Sequence, residues 1–184
     1  VIDQAGIRAN VAGACVLVTG AGGSIGSELC RQLARYEPAR LLLLGHGEGS
    51  IFSIEQELRR RFPGMPLVPI IADVRDGKHL DRVIGMHRPS LIVHAAAHKH
   101  VPLMECNAGE AFTNNVLGTR QVLRAAERHG IERFVLISTD KAVNPTSIMG
   151  TTKRVAEMLV QDAAARTGRP YVAVRFGNVL GSRG

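Results

Sequence analysis

The sequence predicts a doubly wound α/β fold, a parallel sheet of about six strands with helices on both faces. Three observations carry that expectation. Short apolar runs alternate with helical patterns six times along the chain. The first apolar run, Val16-Leu17-Val18-Thr19, closes in a glycine loop that opens a helix. Every notable polar motif falls where one of these runs ends. Strands joined by crossover helices run parallel with right-handed crossovers. In such a sheet, of Rossmann type, ligands bind beyond the carboxyl ends of the strands, at the switch point beside the first strand.

Composition sets the bounds. At 184 residues and 45% hydrophobic content, the chain suits one domain with a sizeable core. No apolar run approaches the roughly 20 residues that cross a bilayer. Asp3, Gln4, Arg8 and Asn10 interrupt the start, against a signal peptide. Cys15, Cys30 and Cys106 are odd in number and widely spaced, which opposes a disulfide framework or a zinc site. They suit a reducing compartment, so a cytoplasmic location is expected. The net charge of +7 permits an anionic partner such as a nucleotide diphosphate. Nucleic acid is disfavoured. The dense basic cluster Arg59-Arg60-Arg61 complements a helix C-terminus, and two Tyr, five Phe and no Trp leave few aromatics for base stacking.

Residues 1–13 read as a weakly periodic lead-in or linker, and residues 14–184 as a dinucleotide-binding domain. The first strand covers about Cys15–Thr19, followed by a helix near Ser24–Tyr36 whose Ile25, Leu29 and Leu33 share one face. Arg40–Leu44 is too short and too leucine-rich for a half-exposed strand and reads as buried and parallel. A helix follows through Ile51, Ile54, Leu58 and Phe62, stopped by Pro63-Gly64. A third strand near Leu67–Ile71 and a short helix through Leu80, Val83 and Ile84 come next. Strands are then expected at Leu91–Ala95, Arg133–Ser138 and Tyr171–Arg175, separated by helices over about Ala108–Arg128 and Ile148–Arg166.

Gly20, Gly23 and Gly26 are spaced so that backbone N–H groups, with those of Ser24 and Ile25, approach a pyrophosphate at a helix N-terminus. The second strand ends in Gly45 where such folds usually carry an acid for the adenosine ribose. Glu48 either reaches the ribose from the following turn or sits in the first turn of the next helix. No Arg in this turn stands ready for a 2′-phosphate, which favours NAD over NADP. Asp73 either accepts from an adenine amine, with the Val74 N–H donating to the ring, or caps the helix near Lys78. Ala95 and Ala96 end the fourth strand and let a flat cofactor lie close to the backbone; they equally suit tight packing. His98-Lys99-His100 resembles a metal pair, but a lysine between the imidazoles is poor company for a cation. A loop contacting an anionic substrate through Lys99 and His100 is favoured, and no metal is expected. Thr139-Asp140-Lys141 ends the fifth strand, where an acid beside a potential base suits proton transfer; the alternative is a solvated turn before Asn144-Pro145. Met149 and Lys153, four apart, share a helix face.

The glycine pattern, Asp73, Ala95–Ala97, Asn115 and Lys153 together resemble the extended short-chain dehydrogenase/reductase superfamily. Four longer blocks are similar to one branch, the polysaccharide-biosynthesis sugar-nucleotide 4,6-dehydratases. They are Thr19–Glu28, His94–Glu105, Asn114–Thr119 and Ser138–Thr146. Met149 stands where the superfamily usually has its catalytic Tyr; the large, membrane-anchored members of this branch are similar in that departure. The resemblance implies an NAD-dependent dehydration of a UDP-N-acetylhexosamine, and a homo-oligomer is expected. Membrane attachment is expected only through a region outside this chain. By resemblance, Asp140 is the acid for the leaving hydroxyl and Lys141 the base at C5. Thr139 holds the C4 hydroxyl, Lys153 positions the nicotinamide ribose, and Asn178 contacts the substrate diphosphate. On spacing alone Asn178 equally well caps a turn. A non-catalytic NAD-binding module and a related epimerase are the competing functions.

Overall fold

The computed structural model describes residues 3–179. The first two residues of the expected lead-in and the last five of the expected domain lie outside that range. The six expected strands are present: β1 Cys15–Thr19, β2 Arg40–Gly45, β3 Leu67–Ile71, β4 Leu91–His94, β5 Arg133–Thr139 and β6 Tyr171–Phe176. They form one sheet in the order β3-β2-β1-β4-β5-β6. Every neighbouring pair is parallel. Chain order reverses at β1, whose Val18 lies level with Leu43 on one side and Val93 on the other.

Strand side chains alternate between two apolar layers. Leu17, Leu42, Leu44, Ile92, Phe134 and Leu136 pack into one layer; Val16, Val18, Leu41, Leu43 and Val93 pack into the other. Both faces are covered, so Leu41–Leu44 are all fully buried and read as an unbroken leucine run. Each such leucine stabilises the fold by about 1.5–3 kcal/mol. The second layer is closed by α1 Gln4–Val11, α2 Ser24–Ala34 and α3 Glu48–Arg61, and the first by α4 Gly77–His87 with later helices. Asp76 caps α4 by accepting from the His79 N–H.

Two stretches differ from expectation. The lead-in contains α1, capped by Asp3 accepting from the Gly6 N–H, with Ile7 and Val11 packed on the core. Its 8 residues are too few for periodicity to declare a helix. The single helix expected over about Ala108–Arg128 is instead several pieces. A further helix, α5 Val101–Cys106, precedes it, with Pro102 tolerated in a first turn that needs no intrahelical N–H bond there. Then come α6 Ala108–Phe112, a π-helical turn Thr113–Gly118, and α7 Thr119–Arg128. The last helix, α8 Ile148–Thr167, is capped by Ser147 and ended by Gly168 in the left-handed conformation. Among the described residues no helix is long and apolar enough to cross a membrane.

Candidate functional site

Two cavities open at the carboxyl ends of the central strands. One, of about 260 Å³, is lined by Gly20, Gly23, Gly45, His46, Ser50 and Val74, among others. The other, of about 600 Å³, brings together Ile25, Lys99, His100, Thr139, Lys141, Met149, Lys153 and Asn178. Ala95, Ala97 and His98 line both, so the two form one groove across the ends of β1 and β4.

The glycine loop is built by two close approaches. Gly20 has φ of 68°, and a Cβ there would stand 2.7 Å from the Ala96 nitrogen. A Cβ on Gly26 would overlap the Gly20 carbonyl oxygen, so only glycine lets α2 begin this close to the turn. Gly23 is the N-cap of α2, which no side chain caps. The positive N-terminal end of α2 therefore starts at Gly23 on the wall of this cavity, which fits the diphosphate of a dinucleotide.

At the other end of this cavity, Gly45 closes β2 and His46 and Ser50 line the wall. Glu48 opens α3 as an exposed first-turn acid and is not part of the lining. Asp73 does not cap α4, since Asp76 does. Its carboxylate accepts from the Arg75 backbone N–H at 2.8 Å and from Arg75 Nη2 at 2.6 Å. The Arg75 hydrogen bonds hold the Asp73 carboxyl below the usual range. Arg75 continues to Glu110 at 2.9 Å, and Glu110 to the His98 ring at 3.1 Å.

The larger cavity carries the polar chemistry. Asp140–Ala142 is a 3₁₀ turn that extends β5. The Thr139 hydroxyl donates to Asp140 Oδ1 at 2.9 Å. Lys141 Nζ donates to the same oxygen at 3.2 Å and to Asn178 Oδ1 at 3.1 Å. The Thr139 hydroxyl foremost, then Lys141, holds the Asp140 carboxyl low. The residue expected as an acid is therefore an ionised partner of Lys141 in this arrangement. Met149 is buried at the cleft wall, where its thioether can neither give nor take a hydroxyl proton. Lys153 is also buried, and its Nζ donates to the Ile137 carbonyl at 2.7 Å. Burial pulls its pKa down to about 8, with the Glu157 charge opposing. Lys99 and His100 are exposed on the rim. Among the described residues no three His, Cys, Asp or Glu side chains are placed to hold a metal ion.

Three buried groups shape the site, two of which, His94 and Asn115, stand in the blocks that carry the family resemblance. Asn115, in the π-helical turn, accepts from the His98 N–H at 2.8 Å and donates to the His98 carbonyl at 3.0 Å. It also donates to Thr152 Oγ1 at 3.1 Å. Asn115 thus anchors the loop shared by both cavities next to Lys153. His94 lies between Thr19 Oγ1 at 2.6 Å and Thr119 Oγ1 at 3.0 Å. Thr119 spends its proton on the Asn115 carbonyl at 2.7 Å, so His94 Nε2 must donate to Thr119. Burial, with the Lys153 charge adding, lowers the imidazole pKa to about 3, so the ring is neutral and its Nδ1 accepts from Thr19. Glu157 is the third, held by Ser138, Arg154 and Arg175. The signal for all three was a polar residue at an apolar, core-facing position, but their partners are distant in sequence.

A family described as polysaccharide biosynthesis protein matches residues 16–184. Across its whole length the chain is 51% identical to the capsular polysaccharide biosynthesis protein CapD of Staphylococcus aureus, of which it covers 31%. It is 32% identical to a UDP-N-acetylglucosamine 4,6-dehydratase (inverting) of Campylobacter jejuni, over 92% of this chain and 50% of the relative. The chain thus spans about a third of the first of these relatives and half of the second. Among solved structures, Pen from Bacillus thuringiensis superposes with a TM-score of 0.87 at 30% identity, over 95% of this chain and 55% of that one. The UDP-glucose-4-epimerase of Stenotrophomonas maltophila, solved with bound NAD, gives 0.77 at 26% identity, over 88% of this chain and 52% of that one.

Proposed function

The chain belongs to the polysaccharide biosynthesis protein family, and from that premise we propose that it is the cofactor-binding part of an NAD-dependent 4,6-dehydratase acting on a UDP-N-acetylhexosamine, UDP-N-acetylglucosamine foremost. The observation that carries this reading is the Thr139-Asp140-Lys141 turn. Its Thr139 and Lys141 line, with Lys153, a cleft continuous with the glycine-loop cavity, and Asp140 sits exposed at its edge, paired with Lys141. NAD in that groove would accept a hydride from sugar C4 as the C4 hydroxyl proton leaves to solvent, and would return it to C6 as Lys141 gives a proton back to C5. Gly20–Gly26 hold the diphosphate, and the uncapped start of α2 favours its charge. Ala95 and Ala96 leave room for the cofactor over the end of β4.

Elimination of water needs a base at C5 and an acid at the C6 hydroxyl. The ion pair of Asp140 and Lys141 contains both. Moving one proton across their 3.2 Å contact turns a carboxylate and an ammonium into a carboxylic acid and a free amine. A bound sugar that excludes water favours this neutral pair, because burial disfavours charge. Lys141 then takes the C5 proton and Asp140 gives its proton to the leaving hydroxyl, which departs as water. The same ion pair is thereby restored. Thr139 orients Asp140 and is placed to hold the C4 hydroxyl. Asn178 accepts from Lys141 Nζ, and by the same reading it contacts the substrate diphosphate. Lys99 and His100 give the rim groups for the anionic nucleotide.

The test is NMR of the product formed by the full-length protein from UDP-N-acetylglucosamine. A 4-keto-6-deoxy sugar should form without accumulation of NADH, and Asp140→Asn should slow it by roughly 10²-fold or more. Absence of that product, with Asp140→Asn indistinguishable from the parent, overturns the reading. Solvent deuterium at C5 without dehydration would assign an epimerase instead.

A further inference from the structure

Among the described residues Glu157 is the one buried carboxylate, its side chain 1% exposed. Its Oε1 accepts from the Ser138 hydroxyl at 2.6 Å and from Arg175 Nε at 2.8 Å. Its Oε2 accepts from Arg175 Nη2 at 2.6 Å and from Arg154 Nη1 at 3.1 Å. Four donors from α8, β5 and β6 converge on one carboxylate. Ser138 immediately precedes the Thr139-Asp140-Lys141 turn. Lys153 lies one helical turn before Glu157, on the same face of α8, and donates to Ile137. Lys153 and Glu157 thus stitch α8 to two successive residues of β5, at the point where the reactive turn leaves the sheet.

We propose that Glu157 is a positioning residue of the cleft: through Ser138 it sets the seat of the Thr139–Lys141 turn, and through its charge it keeps the buried Lys153 cationic. The proposal rests on the functional reading above for the chemistry it serves, but its geometry stands apart from it. Burial raises the affinity of Glu157 for a proton, yet Arg175, Ser138 and Arg154 outweigh this and hold its pKa down to about 2. It is therefore anionic throughout the working range. Glu157 on α8 and His94 on β4 act electrostatically with Lys153, and the elements packed beside it also carry Arg154, Arg175, Asp140 and Lys141. His94 is neutral, so Glu157 is the nearest fixed anion on the element that carries Lys153. A bare surface ion pair contributes little; here the carboxylate is desolvated and its influence on the neighbouring ammonium is correspondingly strong.

The experiment is competitive amine acetylation of the full-length protein across a pH series, with Lys153 and Lys141 followed by mass spectrometry in the absence of substrate. Glu157→Gln should move the Lys153 midpoint to lower pH by about one unit. Arg175→Gln should move it to higher pH, since it removes a cation that competes for Glu157. Ser138→Ala should leave the Lys153 midpoint in place and change the Lys141 labelling rate severalfold. A role in packing alone would move neither midpoint, or would move both in one direction. Either result overturns the proposal. If Glu157→Gln does not fold, the upward Lys153 shift in Arg175→Gln, set against an unmoved Lys153 midpoint and a changed Lys141 rate in Ser138→Ala, still decides it. Loss of the dehydratase reading alone would leave these midpoints as expected, so the two failures are distinguishable.

Discussion

Replacing Gly20 by alanine attacks the groove at its narrowest point. The residue sits at φ of 68°, where a side chain costs roughly 1–2 kcal/mol. The added Cβ would lie 2.7 Å from the Ala96 nitrogen, 2.8 Å from its Cα and 2.9 Å from the Ala95 carbonyl carbon. All three are backbone atoms of the β4 exit, so no flexible side chain can swing away. Overpacking of this kind costs about 1–3 kcal/mol. The two effects together are expected to remove about 2–5 kcal/mol of stability. They also push the β4 exit from the loop that cradles the diphosphate. A 1.4 kcal/mol loss in the bound state is about tenfold in affinity. Urea unfolding and calorimetric titration with NAD measure the two consequences separately. Gly49→Ala is the control. Gly49 lies in α3 with no atom within 4 Å of the added methyl, so it should be neutral or stabilising by roughly 0.5–1 kcal/mol. If Gly20→Ala unfolds within about 0.5 kcal/mol of the parent and binds NAD equally well, the loop does not work as described.

His94 should make the protein acid-sensitive. Its folded pKa of about 3 lies below the ordinary 6.5, so the unfolded chain takes up the proton first. The stability contribution is complete above pH 6.5 and is lost as pH falls toward 3, at about 1.4 kcal/mol per unit. Between pH 6.5 and 5, before the carboxylates titrate, His94→Gln should unfold with a flatter pH dependence in urea melts. His87, lowered in the same sense by burial, leaves a residual slope. An equally steep variant would refute the neutral-imidazole network. Asn115→Ala removes partners from the His98 N–H, the His98 carbonyl and Thr152, so it should cost about 2–3 kcal/mol. It should also raise the KM for the sugar nucleotide more than that for NAD; equal effects would show that the loop does not face the sugar. Lys141→Met should reduce turnover by about 10³-fold while NAD affinity stays within about twofold. A turnover loss under tenfold would remove Lys141 from the base role.

The sheet was legible because its reasons are local. Leu41–Leu44 can only be a strand wet on neither face, and Gly20–Gly26 between an apolar run and a helical pattern can only be a strand-to-helix turn. The reactive turn was legible for the same reason, since Thr139, Asp140 and Lys141 are neighbours in sequence as well as in space. What sequence reading lost was long-range or geometrically irregular. A π-helical turn keeps nearly the same apolar rhythm as the α-helix around it, so Thr113–Gly118 read as continuous helix while the extra residue turned Asn115 toward His98. Asp73 was recognised as a candidate for the adenine end, but its pairing with Arg75 and onward to Glu110 depends on a contact 35 residues away. Glu157 looked like any helix glutamate until Ser138 and Arg175 closed on it from two strands. Glu48 illustrates the reverse case, where a plausible local signal is satisfied by starting a helix and leaves the cavity wall to His46 and Ser50.

The central place of β1 dictates when a nucleotide can first be held. A ribosome that has delivered β1, α2 and β2 has already made the whole glycine turn. Yet one hydrogen-bonding edge of β1 still lacks its partner strand. The far wall of the groove, Ala95–Ala97, arrives only when β4 crosses back over β1, a closure across 75 residues between Thr19 and His94. Ordering a loop of that length costs about 4 kcal/mol in chain entropy. The dinucleotide therefore cannot template this crossing; it rewards only chains that have already made it. NAD acts on folding as a latch on the finished sheet, slowing its unravelling, and a nascent chain that ends before β4 would gain nothing from its presence.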